Sequence, residues 1–193
     1  MKNGFKMPRP VKITGRSSTI TNSFVNSIIP VVHPSADEIS EALHILGMSE
    51  DDVRCSYCGD KATEWDHLRP IVRNKRPTGY ISEIANLVPA CGKCNQSKSG
   101  QEWKSWMMGT APQCPSVRCI AELSQRVARL DAYEKWRSPH MVDWEKIIDQ
   151  KIWDEHWSNL ERMHAMMKQC QKVADDINKI AAEAVISPTI QCT

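Results

Sequence analysis

The chain has 193 residues, of which 41% are hydrophobic and 25% charged, and its formal net charge is +2. This ordinary globular composition argues against wholesale disorder and against a collagen-like or membrane-embedded chain. No apolar stretch approaches the roughly 18 residues of a membrane-spanning helix. Eight cysteines without a visible export signal indicate a reducing compartment. We therefore expect a cytoplasmic protein with no membrane partner, whose paired cysteines bind metal rather than form disulfides.

Basic and acidic residues are unevenly distributed along the chain. Residues 61–100 carry seven basic against three acidic residues, whereas residues 139–193 carry six basic and nine acidic ones. Residues 1–16 carry no acid and five basic residues, which are Lys2, Lys6, Arg9, Lys12 and Arg16. This asymmetry allows a polyanion such as nucleic acid to bind the first half, although surface lysines also serve solubility alone.

The first predicted helix covers residues 36–46. Ser35 and Glu38 form an S-x-x-E capping box, in which each side chain accepts a hydrogen bond from the backbone N–H of the other residue. Apolar residues follow at helical spacing, and Gly47 can end the helix. Residues 1–34, by contrast, are rich in Ser, Thr, Asn and Pro, and we expect them to form an arm that leans on the core.

Residues 53–100 combine short apolar segments with many Gly, Pro and Asn residues. The segments Thr63–Leu68 and Asn86–Ala90 suit short strands. From Asn95 onward we expect a helix that carries the apolar residues Trp103, Trp106 and Met107. The sequence Gly109–Pro112 then ends it, because Gly and Pro interrupt regular structure.

After Pro115 the chain is predicted to be helical. The first of these helices has one apolar face and ends before Ser138-Pro139, since proline disfavours helical backbone in the preceding residue. The second covers about residues 141–185, a stretch without Gly or Pro, and its apolar pattern fits both a coiled coil and a core-packed helix. The tryptophans of this half are interpreted as packing residues rather than as a base-stacking platform.

The strongest signal is a pair of C-x-x-C motifs, Cys55–Cys58 and Cys91–Cys94. Each motif places two sulfurs on one tight turn, and together they supply the four thiolates of a tetrahedral zinc site. Four thiolates leave zinc no open position, so the predicted zinc is structural. The 32 residues between the pairs exceed the usual zinc-ribbon gap of about 15–20, which indicates a folded element between them. Cys114 and Cys119 are a weaker candidate for a second metal.

Three short motifs lie between the cysteine pairs or directly after the second one. They are Asp66-His67, Asn86-Leu87, and Asn95 followed three residues later by Lys98. In this order the chain resembles the HNH endonucleases, or ββα-metal nucleases, in the variant whose hairpin is clamped by four cysteines. The resemblance covers about residues 54–100. It implies an α+β fold, with a zinc-clamped ββα-metal core, an N-terminal arm and a helical C-terminal region.

The chemistry of these residues can also be argued directly. Hydrolysis of a phosphodiester needs an activated water and neutralisation of charge on the phosphate. His67 has an ordinary pKa near neutrality and can take a proton from water, and the amide of Asn86 can orient its ring. Asp66 and Asn95 offer hard oxygen ligands that suit Mg²⁺ or Mn²⁺. The resemblance implies the same division of roles, while a turn or cap role is the alternative for Asn86.

Neighbouring residues on a strand face opposite ways, so the Asp66-His67 motif requires a strand end or irregular backbone to serve one site. The basic residues near the motif are interpreted as DNA contacts, and these are Arg69, Arg73, Lys75, Arg76 and Lys98. A basic loop that serves only solubility, and a solvated helix lysine at position 98, are the alternatives.

We predict three segments: an N-terminal arm and helix at residues 1–49, the nuclease core at 50–108, and a helical region at 109–193 for packing, DNA recognition or dimerisation. The predicted function is site-specific hydrolysis of double-stranded DNA with a divalent metal and a histidine base, as in a type II restriction enzyme. A homing or phage-type HNH nuclease and a non-catalytic zinc-binding DNA module are the alternatives. Since one such site cuts one strand, a symmetric double-strand break calls for a homodimer, to which residues 141–185 contribute.

Overall fold

A computed structural model describes residues 7–186 of the chain. Of the predicted basic arm, Lys2 and Lys6 lie outside this range. The described residues form two compact units, one made of residues 25–147 and the other of residues 7–24 together with residues 148–186. Within the described range, no helix has both the length and the apolar character needed to cross a membrane.

Helices and two small antiparallel sheets make up the described residues, so the fold is α+β, as predicted. In chain order the elements are α1 (Ser17–Ser27), α2 (Ala36–Ile45), β1 (Glu64–His67), β2 (Val72–Arg73), β3 (Arg76–Pro77), β4 (Leu87–Ala90), α3 (Gly92–Lys98), α4 (Trp103–Met107), α5 (Leu123–Trp136), α6 (Trp144–Ile147) and α7 (Gln150–Ile186). Short 3-10 helices precede α1 and β4, at Ile13–Arg16 and Ile84–Asn86.

Helix α2 forms where the capping box predicted it. The Ser35 hydroxyl accepts from the Glu38 N–H at 3.2 Å, and the Glu38 carboxylate accepts from the Ser35 N–H at 2.8 Å. The helix ends at Ile45, and Gly47 follows with a φ of 72°, a left-handed conformation that glycine adopts without steric cost. The buried residues Ala42 and Leu43 face the core, so the helix covers one side of the 25–147 unit.

Strands β1 and β4 form the antiparallel pair that the sequence predicted, and α3 follows β4 directly. Glu64 stands opposite Ala90, and His67 stands opposite Leu87. Strand β1 ends at His67, which meets the requirement for a strand end at the motif. The segment between them forms the β2–β3 ribbon, where Asn74 and Lys75 both have left-handed backbone with φ of 52° and 61°.

The helix expected from Asn95 through Met107 is divided into two helices, and the first begins earlier than predicted. Helix α3 starts at Gly92 and ends at Lys98, because the next residue, Ser99, has a φ of 48° that leaves the helical region. Helix α4 restarts because the Glu102 carboxylate accepts hydrogen bonds from two free N–H groups of its first turn. Its apolar residues Trp103, Trp106 and Met107 are buried as expected.

The remaining helices of the 25–147 unit also differ in detail from prediction. Helix α5 begins at Leu123, after Glu122 adopts a left-handed φ of 57°, and it ends at Trp136 before Ser138 as predicted. Its residues Leu130 and Tyr133 complete a core with the α4 tryptophans and Tyr57. Tyr133 donates from its hydroxyl to the main-chain oxygens of Ile84 and Leu87, which ties α5 to the start of β4.

The second unit contains the 37-residue helix α7 and the N-terminal segment packed against it. The predicted helix over 141–185 is divided, since α6 ends at Ile147 and α7 begins at Gln150. The N-terminal arm is itself largely helical, a feature that its Ser- and Asn-rich sequence did not predict. The Thr21 hydroxyl donates to the Ser17 carbonyl at 3.0 Å and lies 3.2 Å from the His164 ring, so α1 depends on contacts with α7.

Candidate active site and metal centre

The four paired cysteines come together as the sequence predicted. Their sulfur atoms all lie within 4.8 Å of one another, and all four residues are buried. The sulfurs of Cys58 and Cys91 are 3.7 Å apart. A zinc ion about 2.3 Å from each of four sulfurs requires sulfur–sulfur distances of about 3.8 Å, so the donor set fits a tetrahedral zinc ion. Within residues 7–186 this is the one group of three or more His, Cys, Asp or Glu ligands so arranged.

The surroundings of the cysteine cluster shift the pKa values of its thiols in opposite directions, downward at Cys55 and upward at Cys94. Gly59, with a φ of 81°, lets the chain turn tightly after the first pair, and its N–H donates to the Cys55 carbonyl. The Arg118 guanidinium donates to the Cys94 sulfur at 3.3 Å. Hydrogen bonds from Cys58 and Cys94 lower the pKa of Cys55 to about 4, and the bond from Cys58 has the larger effect. Cys114 is buried and Cys119 exposed, and they join no ligand group within the described range.

His67 lies at the end of β1 with its ring half-buried. Its Nε2 atom is 2.8 Å from the Ser82 hydroxyl. Burial lowers the pKa of His67 to about 4, and the Lys98 ammonium adds to this lowering. The ring is therefore neutral at physiological pH, the form that can accept a proton. Ser82 was not predicted as a partner, and no local motif links it to position 67.

The hydrogen bonds of the Asn86 side chain go to the backbone, whereas its predicted orienting role requires one to the His67 ring. Its Oδ1 atom accepts from the Arg69 N–H at 2.8 Å, and its Nδ2 atom donates to the Arg69 carbonyl at 3.0 Å and to the Ile81 carbonyl. Asn86 is fully buried, and these bonds supply hydrogen-bond partners to its amide, which offsets the cost of burying it. The side chain thus fixes the backbone just after His67 rather than the ring itself.

Asp66 is buried in a cluster with Lys98 and Tyr57. Its Oδ2 atom is 3.0 Å from the Lys98 ammonium and accepts from the Tyr57 hydroxyl at 2.6 Å. Burial raises the pKa of Asp66, although Lys98 and Tyr57 both act in the opposite direction. Lys98 also donates to the His67 carbonyl at 2.7 Å and has no exposed surface. The structure thus gives Lys98 an internal partner and not the free surface position that a phosphate contact requires.

Asn95 lies on the same face of α3 as Lys98, one helical turn earlier in the chain. Its Nδ2 atom donates to the Glu64 carboxylate at 2.7 Å. Glu64 was not predicted as a site residue, although it shares a strand face with Asp66 because the two are two positions apart in β1. Glu64, Asp66 and Asn95 carry oxygen donors on β1 and α3, two elements in contact, and hard donors of this kind suit Mg²⁺ or Mn²⁺. The Oδ2 atom of Asp66 is already engaged by Lys98 and Tyr57.

The other predicted DNA contacts lie on the segment after β1. Arg73, Lys75 and Arg76 are exposed on the β2–β3 ribbon. Arg69 is instead half-buried, and its Nη2 atom is 3.0 Å from the Glu134 carboxylate. The structure therefore separates the predicted basic group into an exposed ribbon and one residue held in a cleft.

Comparisons with known proteins agree with the resemblance of the motifs. Residues 55–101 match the family model described as HNH endonuclease. The chain is also 30% identical over 79 residues to the CRISPR-associated endonuclease Cas9 of Corynebacterium diphtheriae. This similarity covers 39% of the chain but 7% of that protein, so the chain spans a small part of this curated relative. No solved structure gives a significant match.

Proposed function

We propose that this chain, which carries an HNH endonuclease domain at residues 55–101, is a metal-dependent endonuclease that hydrolyses double-stranded DNA. The observation that carries the proposal is His67, a neutral imidazole at the open end of β1 in a zinc-clamped hairpin. A non-catalytic zinc-binding DNA module would need the cysteines but not this histidine. Within the enzyme class we propose a site-specific restriction-type nuclease in the cytoplasm, with a homing or phage-type nuclease as the alternative.

The residues around His67 support a role as general base. In the tautomer whose Nε2–H donates to the Ser82 hydroxyl oxygen, Nδ1 is the ring nitrogen that accepts a proton from water. Asn86 holds the backbone after His67, so the ring keeps its direction at the strand end. Glu64, Asp66 and Asn95 would hold a magnesium or manganese ion, which when bound supplies positive charge to the phosphate and the leaving oxygen. Arg73, Lys75 and Arg76 are exposed on the β2–β3 ribbon, and we assign them to contacts with DNA phosphates.

Plasmid cleavage tests this function. With Mg²⁺ present, we expect the protein to nick or linearise supercoiled plasmid, and His67→Ala to lower the rate at least about a hundredfold, because a positioned base contributes 10²–10⁴. His33→Ala, which removes an exposed histidine, is the matched control and should cut normally. A folded, DNA-binding His67→Ala protein with normal turnover would instead favour the non-catalytic module. Sequencing the ends of cut plasmid distinguishes a restriction-type nuclease from random cutting.

We further propose a homodimer formed through α7. Seven residues of this helix recur at alternating spacings of three and four, the pattern of a coiled-coil seam. They are Met163, Met166, Cys170, Val173, Ile177, Ile180 and Ala184, and all are exposed. A second copy of the same helix is the occupant that fits, because an antiparallel pairing centred near residue 172 places Arg162 of one copy beside Glu183 of the other.

Light scattering tests the dimer. We expect a mass of about 44 kDa, twice the 21.9 kDa of the chain. Ile177→Asp places a charge in the seam and should produce monomer, whereas Val185→Asp, at an exposed apolar residue outside the 3-4 pattern, should not. A wild-type mass near 22 kDa, both free and with DNA, would contradict the dimer without affecting the nuclease proposal.

A further inference from the structure

A continuous series of buried polar contacts joins the cysteine cluster to the proposed base. It begins at Tyr57, which lies between the two residues of the first cysteine pair. The Tyr57 hydroxyl donates to Oδ2 of Asp66 at 2.6 Å, and the same oxygen lies 3.0 Å from the Lys98 ammonium. Lys98 in turn donates to the His67 carbonyl at 2.7 Å. The nuclease mechanism proposed above gives Tyr57 no role.

The side chain of Tyr57 is held at both of its ends. Its backbone belongs to the tight turn of the first C-x-x-C motif, where the neighbouring Ser56 N–H donates to the Pro89 carbonyl of β4 at 2.8 Å. Its ring has no exposed surface and packs edge-on against Trp106, with the ring centres 5.1 Å apart. The hydroxyl therefore has a defined position, from which it can hold a second group in place.

Packing alone does not account for a tyrosine at position 57. A phenylalanine would present the same ring to Trp106 without burying a hydroxyl group. Burying a hydroxyl or a carboxylate costs free energy that hydrogen bonds must offset, and replacing a buried ion pair by apolar residues is often neutral or stabilising. The contact between Tyr57 and Asp66 is therefore better explained by a role in the site than by stability of the core.

The Tyr57 hydroxyl helps to set the orientation of the Asp66 carboxylate. The last torsion of an aspartate side chain has a broad preference, so contacts with other groups decide where its two oxygens lie. Tyr57 and Lys98 both contact Oδ2, and no other side chain among residues 7–186 is hydrogen-bonded to this carboxylate. The His67 N–H also stabilises its charged form. These contacts leave Oδ1 as the oxygen that we assign to the metal ion.

We propose that Tyr57 is a positioning residue for the divalent metal ion of the proposed nuclease. Its hydroxyl holds Oδ2, so that the Asp66 carboxylate keeps one orientation and offers Oδ1 to the ion. The inference rests on the proposed function, because Asp66 is assigned there as a ligand of magnesium or manganese. Groups that orient a metal ligand typically contribute about 10- to 100-fold to metal affinity or activity. The turn of the first cysteine pair thus contributes to metal binding at the catalytic site through Tyr57.

Binding of Mn²⁺ to the full, zinc-loaded chain tests the proposal without DNA. Electron paramagnetic resonance measures the free Mn²⁺, and metal analysis measures the zinc. Tyr57→Phe should weaken Mn²⁺ binding about 10- to 100-fold while the zinc content stays as in wild type. Tyr133→Phe is the matched control, because its buried hydroxyl is bonded to main-chain carbonyls and not to a carboxylate, and it should bind Mn²⁺ as wild type does.

The control separates a positioning role from a purely structural one. Both variants remove hydrogen bonds from the core, so both can lower stability, and Mn²⁺ affinity is the property that should distinguish them. Unchanged Mn²⁺ affinity in a folded Tyr57→Phe protein would overturn the proposal. An equal loss of affinity in Tyr133→Phe would overturn it as well, because the effect would then follow from a weakened core.

Plasmid cleavage keeps this inference distinct from the proposed function. Tyr57→Phe should need about 10- to 100-fold more Mg²⁺ than wild type for half-maximal cutting. If wild type cuts and Tyr57→Phe needs the same Mg²⁺ concentration, the positioning role fails while the nuclease proposal stands. If Tyr57→Phe weakens Mn²⁺ binding but wild type never cuts, the nuclease proposal fails while the positioning role stands.

A measurement on the wild-type side chain covers a Tyr57→Phe protein that does not fold. The chain has 3 tyrosines, so ¹³C-labelling of the ring carbon that bears the hydroxyl gives one nuclear magnetic resonance signal for each, which Tyr80→Phe and Tyr133→Phe assign. Mg²⁺ should shift the Tyr57 signal, because the ion binds the carboxylate that accepts its hydroxyl proton, and should leave the Tyr133 signal in place. A Tyr57 signal that stays fixed up to saturation, or the absence of any Mg²⁺ binding, would overturn the proposal.

Discussion

The two ends of the β1–β4 hairpin are held together by different chemistry. At the end marked by Glu64 and Ala90, four buried cysteines form one cluster of sulfur atoms. At the end marked by His67 and Leu87, single polar contacts join residues far apart in the chain. The first end offers the ligands of a single metal ion, whereas the second is held by many separate hydrogen bonds. We therefore expect single substitutions to have all-or-none effects at the first end, named the zinc end after its proposed ion, and graded effects at the second, named the catalytic end after its proposed role.

The largest effect is expected at the zinc end. Cys55→Ser should lose the metal and unfold the core, because a structural zinc site supplies on the order of 10 kcal/mol of apparent folding energy. Metal analysis of protein purified without chelators, together with circular dichroism, checks this. Cys119→Ser, at an exposed cysteine outside the cluster, is the control and should keep both zinc and fold. A Cys55→Ser protein that retains its zinc and its unfolding midpoint would remove the contrast between the two ends.

The buried ion pair should give the next largest effect. Lys98→Met leaves the Asp66 carboxylate buried without its partner, and loss of one member of such a pair costs about 3–5 kcal/mol. Lys93→Met changes an exposed lysine of the same helix and should be nearly neutral. Urea unfolding of the zinc-loaded proteins measures the difference in the free energy of unfolding. Adding Asp66→Asn to Lys98→Met should recover part of the loss, and equal stability of the two single lysine variants would show that the pair is not buried.

Asn86 should have a smaller effect on stability. Asn86→Ala removes three hydrogen bonds and leaves the backbone N–H and carbonyl of Arg69 without partners, which costs about 2 kcal/mol or more. Asn178→Ala, on the exposed surface of α7, is the control. Hydrogen exchange at the Arg69 amide should become faster in Asn86→Ala, whereas a direct role at the His67 ring would leave that amide protected.

The smallest effect is expected at the partner of the base. Ser82→Ala removes the hydroxyl that contacts His67 Nε2, a bond worth about 0.5–1.5 kcal/mol. Cleavage should slow about 2- to 13-fold while stability stays near wild type. Ser116→Ala removes a hydroxyl that is bonded to the Gly109 carbonyl instead, and should leave cleavage unchanged. A loss as large as that of His67→Ala would mean that Ser82 belongs to the reacting groups.

Features set by nearby residues were predictable from the sequence. The capping box placed α2 to within one residue, and short apolar segments placed β1 and β4. The two C-x-x-C pairs predicted that the four cysteines lie together, because a metal ion accepts few arrangements of its ligands. The N-terminal helix α1 escaped prediction, since Ser, Thr and Asn are poor helix formers and its support comes from α7 more than 100 residues away.

The side-chain contacts of the catalytic end could not be predicted from the spacing of residues in the sequence. The pairing of Lys98 with Asp66, and of Ser82 with His67, depends on how α3 and the segment before β4 pack on β1. A motif names the residues of a site but does not say which atom each side chain binds. Asn86 illustrates this, because its position in the motif was recognised while its partner, the Arg69 backbone, was not.

The cysteine cluster also changes what the intervening loop can become. Once a metal joins the segments around residues 58 and 91, the chain between them is a closed loop anchored at both ends. The entropy of closing such a loop grows slowly with length, by about 0.6 kcal/mol for each doubling. Insertions or deletions at the exposed Asn74–Lys75 turn should therefore cost little folding energy. With a metal bound at the cysteine cluster, we expect the β2–β3 ribbon to tolerate changes of length and composition without unfolding the core.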